Sequence, residues 1–178
     1  MSIADLAARL KCSKRSIYEL APSKKELVLL VLGRRLGKVR EDGWHAASKQ
    51  ASMPERIRAY LAAGVAGSQD MSTKYSEDIE SDPDTARLFD EHQRRRTDGL
   101  RALIQEGVRD GHFKGFHPYL VAEVMMAAVQ RLRQPSFLIE GNISLAAAFE
   151  ELSRLIQHGI LANDRRNAAE PAGRSKGA

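Results

Sequence analysis

An all-α fold is predicted by three observations. Apolar residues recur every three or four positions along most of the chain, no stretch of strand length alternates Val, Ile or Thr with polar residues, and Gly and Pro gather between the periodic stretches. With 178 residues, 43% of them apolar, the chain can bury a sizeable core. The longest uninterrupted apolar run is Leu27 to Leu32, whereas a membrane-spanning helix needs about 20 such residues. The start carries no signal-peptide pattern, so a cytoplasmic location is expected. The lone Cys12 has no disulfide partner and reads as a small buried apolar side chain in a reducing compartment.

The elements follow in order. Ser2 to Leu10 aligns Ile3, Leu6, Ala7 and Leu10 on one face, and Ser2 with Asp5 has the spacing of a capping box. After the interruption Lys11 to Ser13, a second short helix is capped by Ser13, turns Ile17, Leu20 and Ala21 inward, and stops at Pro22. A second capping box, Ser23 with Glu26, opens a helix running to about Val39. Its segment Leu27 to Leu32 is apolar around the whole circumference, which predicts cover on several sides. A connection containing Gly43 follows, then a continuous helix from Ser52 to about Glu80, broken by Asp82-Pro83-Asp84. Further helices are expected at Thr85 to Arg109, Pro118 to Arg133 and Ile143 to Leu161, the last two with long apolar stripes. The organisation is thus 1–40, two short helices and a connecting helix; 41–162, a larger helical body; and 163–178, a tail without large apolar residues that is expected to stay disordered.

Charge is distributed unevenly. Residues 1–40 hold ten Lys and Arg against three acids, a balance of +7, while the remaining 138 residues carry −2. A basic segment on a near-neutral body suits a partner that is a polyanion. Two short helices joined by a tight turn have the layout of a helix-turn-helix, whose second helix enters the major groove by its first residues. Here that helix begins Ser13, Lys14, Arg15, Ser16: the cations meet phosphates or guanine edges, and the short serines permit close approach. Tyr18 lies one turn on and can offer its hydroxyl to a phosphate. At the next helix start, Lys24 and Lys25 join free backbone N–H groups at the positive dipole end as a second phosphate clamp.

The stretch SIADLAARLKCSKRSIYELAPSKKEL, Ser2 to Leu27, resembles the DNA-binding motif of tetracycline-repressor (TetR) family regulators. The matching positions are Leu6, Ala7, Cys12 in place of Val, Ser13, Ile17 in place of Leu, Tyr18, Lys24 and Leu27. The phrase EGVRDGHF from Glu106, followed by Pro118, also resembles the family's junction before its dimerising helices. Three features depart from the pattern. Lys11 stands where the family has its turn glycine, Ala21 replaces an aromatic residue, and the family's first helix, which packs across both motif helices, has no counterpart in this sequence. The resemblance implies a ligand-responsive DNA-binding regulator, with 1–40 as the DNA-binding region and connecting helix and 41–162 as the effector-binding and dimerisation domain. Such a regulator is usually a repressor, released from a palindromic operator by a small apolar or amphipathic effector. The implied assembly is a homodimer through the two C-terminal helices. It also favours an effector pocket among the middle helices, with Tyr60, Tyr75, Phe89 and Met125 as candidate lining. The alternative reading is a dimeric helical small-molecule-binding protein with weak or no DNA binding.

Other chemistry finds little support. His45, His92, His112, His117 and His158 lack metal-ligand spacing, and there is no glycine-rich phosphate loop or nucleophile elbow, so neither an enzyme nor a cofactor is expected. The run Arg94, Arg95, Arg96 reads as a solvated helix face.

Overall fold

The computed structural model describes residues 2–112 and 117–161, and these are helical apart from short connections. The helices are α1 (Ile3–Leu10), α2 (Lys14–Leu20), α3 (Lys24–Ser48), α4 (Met53–Ser68), α5 (Thr73–Ser81), α6 (Pro83–Arg109), α7 (Pro118–Leu132), α8 (Pro135–Glu140) and α9 (Leu145–Ile156), with α9 running into a π-helical turn at Gln157–Leu161. None of the described helices is long and apolar enough to cross a membrane. The 163–178 tail and Phe113, the last residue of the EGVRDGHF junction, lie outside the described residues.

Serine starts most of these helices. The hydroxyls of Ser2, Ser13, Ser23, Ser52, Ser72 and Ser144 each accept a backbone N–H from three residues on, satisfying a donor that the helix itself leaves open. At α6 the carboxylate of Asp82 does the same for the amides of Asp84 and Thr85, with Pro83 at the first helical position, where its missing N–H costs nothing. Lys11 closes α1 in the left-handed region, φ 52° and ψ 42°, and its N–H returns to the carbonyls of Ala7 and Ala8.

Four sequence expectations change. First, α3 runs through Gly43 to Ser48. That glycine is a contact and not a break, since a Cβ there would lie 2.8 Å from Arg96 Nη1 and 3.4 Å from the Tyr60 ring. Second, the expected helix from Ser52 to Glu80 is two helices. The amide of Met71 turns back onto the carbonyl of Ser68, Met71 is buried, and Ser72 caps a new start. Third, within Leu27 to Leu32 only Leu32 is buried, while Val28, Leu30 and Val31 face solvent, so this part of α3 is packed along one side. Fourth, Cys12 is exposed, because it lies in the turn and not on an inward face. The short helix α8 is not legible from periodicity and sends Leu138 inward.

Two apolar clusters form the body. One joins Ala47 of α3, Ile57, Tyr60 and Leu61 of α4, Leu100, Leu103 and Ile104 of α6, and Met125 of α7. The other gathers Leu32 and Leu36 of α3, Met71, Ile79 of α5, Phe89 of α6, Leu138 of α8, and Leu145 and Ala148 of α9. Helix α6, about 40 Å long at 1.5 Å per residue, contributes to both, and its first turn lies beside the start of α3.

Candidate nucleic-acid interface and effector cavity

The head is built from few buried residues. Ala7, Ile17 and Ala21 are its buried side chains, and the rest of α1 and α2 is exposed or half-buried. Burying small residues lets the two short helices approach closely, and it leaves Leu10 and Leu20 at 62% and 66% exposure. Of the residues expected at the interface, Lys14, Arg15, Ser16, Tyr18 and Lys24 all present themselves to solvent. Ser13 and Ser16 are joined by their hydroxyls at 2.9 Å, and the amide of Ser16 donates to Ser13 Oγ at 3.0 Å. Arg15 reaches Glu19 one turn on at 3.1 Å, a pair exposed enough to exchange readily for another acceptor. Tyr18 is 49% exposed.

Lys25, expected beside Lys24 at a phosphate clamp, has two acidic partners in the fold. Its Nζ lies 3.1 Å from Asp82 and 2.6 Å from Asp84, tying the start of α3 to the start of α6. Each partner shifts the others in the direction of charge: Lys25 is raised, chiefly by its bond to Asp84, and both aspartates are held below the usual carboxylate range, chiefly by Lys25.

In the body, a cleft open to solvent lies among four helices. Tyr60 and Val65 come from α4, His92 and Arg96 from α6, Met125 and Val129 from α7, and Phe149 and Leu152 from α9. Of the four residues expected to line an effector pocket, Tyr60 and Met125 line this cleft. Tyr75 and Phe89 belong to the second cluster, where Arg35 lies 6.0 Å from the Tyr75 ring centroid and Arg133 lies 5.6 Å from that of Phe89. Helical phase places them there. Phe89 is two turns before Arg96, at the other end of the α6 inner face, and Tyr75 is on α5, beyond the break at Met71.

The polar side of the cleft is lost when Arg94 to Arg96 are read as one solvated face. Arg94 and Arg95 are exposed, but Arg96 is only 8% exposed. Its Nη2 donates to the Tyr60 carbonyl at 2.7 Å and its Nη1 to the Val39 carbonyl at 3.4 Å, and its guanidinium lies 4.5 Å from the Tyr60 ring centroid. The Tyr60 hydroxyl donates in turn to the Arg96 carbonyl at 2.9 Å, and burial pushes the phenol's pKa up. Three helices supply glycine where this pair needs room: a Cβ at Gly43 or Gly64 would fall 2.8 or 2.7 Å from the guanidinium, and one at Gly99 would fall 2.1 Å from Tyr60 Oη. The signal is present in the sequence, because Arg96 follows His92 by four residues and precedes Leu100 by four, on the inner stripe of α6.

His92 completes this wall. Burial, then the charges of Arg96 and Arg40, push its pKa down to about 3, so the ring is neutral at pH 7. Its Nδ1 is 3.5 Å from Arg40 Nη1.

No protein-family model matches the sequence, and no curated protein is significantly similar to it. Solved structures are similar in fold. A TetR/AcrR family transcriptional regulator from Thermobifida fusca shares 22% identity over 89% of this chain and 86% of its own, with a TM-score of 0.64. The TetR family transcriptional regulator PfmR from Thermus thermophilus shares 20% identity over 89% and 88%, with a TM-score of 0.59. The ketosteroid transcriptional regulator KstR2 of Mycobacterium tuberculosis shares 15% over 90% and 84%, with a TM-score of 0.54. The likeness extends over head and body together, and the fold is the one that the Ser2 to Leu27 stretch resembles.

Proposed function

We propose that the chain is a ligand-responsive DNA-binding transcriptional regulator, a repressor that a small effector releases from a palindromic operator. The observation that carries this reading is the joining of a solvent-facing basic helix start, Lys14 to Tyr18, to a body that holds a cleft. Lys14 and Arg15 would read bases and phosphates, Tyr18 and Lys24 would hold the backbone, and the Ser13 cap would fix the entry of α2. Lys25 would act from behind, holding the start of α3 against α6.

Dimerisation gives two such heads a defined separation, roughly 34 Å for successive major-groove faces. Helix α7 supports this with Leu120 and Val124, one turn apart and exposed, and α9 with Leu155. Apolar side chains in that arrangement suit a four-helix contact between two copies. Coupling to the cleft is mechanical. Arg96 and the Asp82–Asp84 pair sit on one rigid helix, α6, with its cap, and Arg96 also grips the Val39 carbonyl of α3. An effector that draws on Arg96 therefore acts on both elements that carry the head.

The test is DNA binding measured at several salt concentrations. A regulator that neutralises several phosphates loses affinity steeply as salt rises, whereas absence of specific binding to any palindromic site would overturn the reading. A second reading, a dimeric small-molecule-binding protein without DNA binding, is favoured by one observation. The exposed Leu10 and Leu20 leave apolar surface on the head, which a nucleic-acid interface does not use.

A further inference from the structure

Two arginines in the body are largely withdrawn from water, and only one is neutralised. Arg133, its side chain 11% exposed, pairs with Asp90 at 2.7 Å and Glu80 at 3.4 Å. Arg96 has no carboxylate within ion-pair distance among the described residues; its partners are two carbonyls and the face of Tyr60. Arg40, half-buried beside His92, has no acidic partner among them either. No Asp or Glu among the described residues lines the cleft. An uncompensated charge in such surroundings is costly, and Gly43 and Gly64, where a Cβ would collide with it, show that the site is shaped around the guanidinium and not merely tolerant of it. Two more buried polar side chains line the same cleft, Gln93 at 8% and Ser153 at 9% exposure. Neither spends its side chain on a hydrogen bond to a described residue. The opposite wall is apolar: Met125, Val129, Phe149 and Leu152.

We infer that the cleft binds an amphipathic carboxylate, its anionic head against Arg96 with Gln93 and Ser153 as further polar contacts, and its hydrocarbon portion against α7 and α9. The inference rests on the effector-binding reading above and narrows the effector from a small apolar or amphipathic molecule to an apolar acid. A neutral His92 adds no competing charge but can still exchange hydrogen bonds. A guanidinium and a carboxylate match in planar geometry, which favours this anion over a compact halide.

The test is calorimetric titration of the full chain, without DNA, with three ligands sharing one tail: octanoate, 1-octanol and octylammonium. Octanoate is expected to bind at least tenfold more tightly than 1-octanol, and octylammonium more weakly than both. Arg96→Met should reduce octanoate affinity at least tenfold and leave 1-octanol unchanged. If 1-octanol binds the wild-type chain as tightly as octanoate, if Arg96→Met binds octanoate as the wild type does, or if none of the three binds, the inference fails. The wild-type series decides the matter even if Arg96→Met does not fold. Failure of the regulator reading is distinguishable: octanoate would then bind through Arg96 while DNA binding is absent or indifferent to it.

Discussion

Head and body use cationic side chains in opposite ways. In the head, Lys14, Arg15 and Lys24 stand in water, and the folded state gains little from them. In the body, Arg96 and Arg133 are withdrawn from water, so each must be matched by something specific. The difference teaches where substitutions will register. A change of charge in the head should alter binding and spare stability, and the same change in the body should do the reverse unless the site is built for a ligand.

The largest expected effect comes from the body in acid. His92 has a pKa of about 3 when folded and about 6.5 when unfolded. Between these values the unfolded chain binds a proton that the folded chain refuses. The stability that the neutral ring provides is complete above pH 6.5 and drains away as pH falls toward 3, by up to roughly 4 kcal/mol. Urea unfolding at pH 7, 5 and 4 should show this slope, and His92→Gln should flatten it while the acidic groups common to both chains titrate unchanged. An identical slope in the variant would mean that His92 is protonated in the folded state.

Next come the two arginines. Arg133→Met leaves Asp90 and Glu80 without their cation and should cost about 3 kcal/mol in urea unfolding at pH 7, the low end for a broken buried pair because both acids keep some contact with water. Asp90 Oδ1 and Arg133 Nη1 have no hydrogen-bond partner among the described residues, so charge attraction is what holds these two atoms in place. Arg96→Met strands no carboxylate, so without ligand it should fall within about 1 kcal/mol of the wild type. Equal losses in the two variants would erase the distinction between a closed core and a receptor wall. Gly99→Ala sharpens it from the other side: the new Cβ would displace Tyr60, breaking its bond to the Arg96 carbonyl, at a cost of about 2 kcal/mol.

What can be read from sequence follows the same division. The head is legible because its information is local: Ser2 with Asp5, Ser13 before a basic helix start and Ser23 with Glu26 are short-range patterns that the structure reproduces as caps. The polar wall of the cleft is not, because it depends on which helix stands opposite. Adjacent Arg94, Arg95 and Arg96 look alike as letters, yet at 100° per residue only the third enters the stripe of Phe89, His92 and Leu100. Gly43 reads as a connection for a similar reason: its purpose lies across the helix interface, at Tyr60 and Arg96. Lys25, too, takes its sequence reading from its neighbours in the chain, and its acidic partners come from a helix start almost sixty residues on.

The smallest effects belong to the head. Tyr18→Phe should leave stability unchanged and weaken operator binding by about 1 kcal/mol, the worth of one hydrogen bond, by a similar factor on related sequences; loss confined to one base sequence would contradict a phosphate role. Lys11 tests the opposite quantity. Its left-handed backbone, φ 52°, puts a Cβ against the following carbonyl, and its side chain is exposed and makes no charge pair with a described residue. Lys11→Gly should therefore stabilise the head, by about 1 kcal/mol less the extra freedom that glycine gains when unfolded. Its effect on DNA affinity should be confined to one phosphate's share of the salt dependence. Hydrogen exchange of the α1 and α2 amides would detect this gain even where the body dominates the global unfolding transition. A loss of protection would mean that the lysine stem packs on the turn, and that the head spends a second cation, after Lys25, on structure.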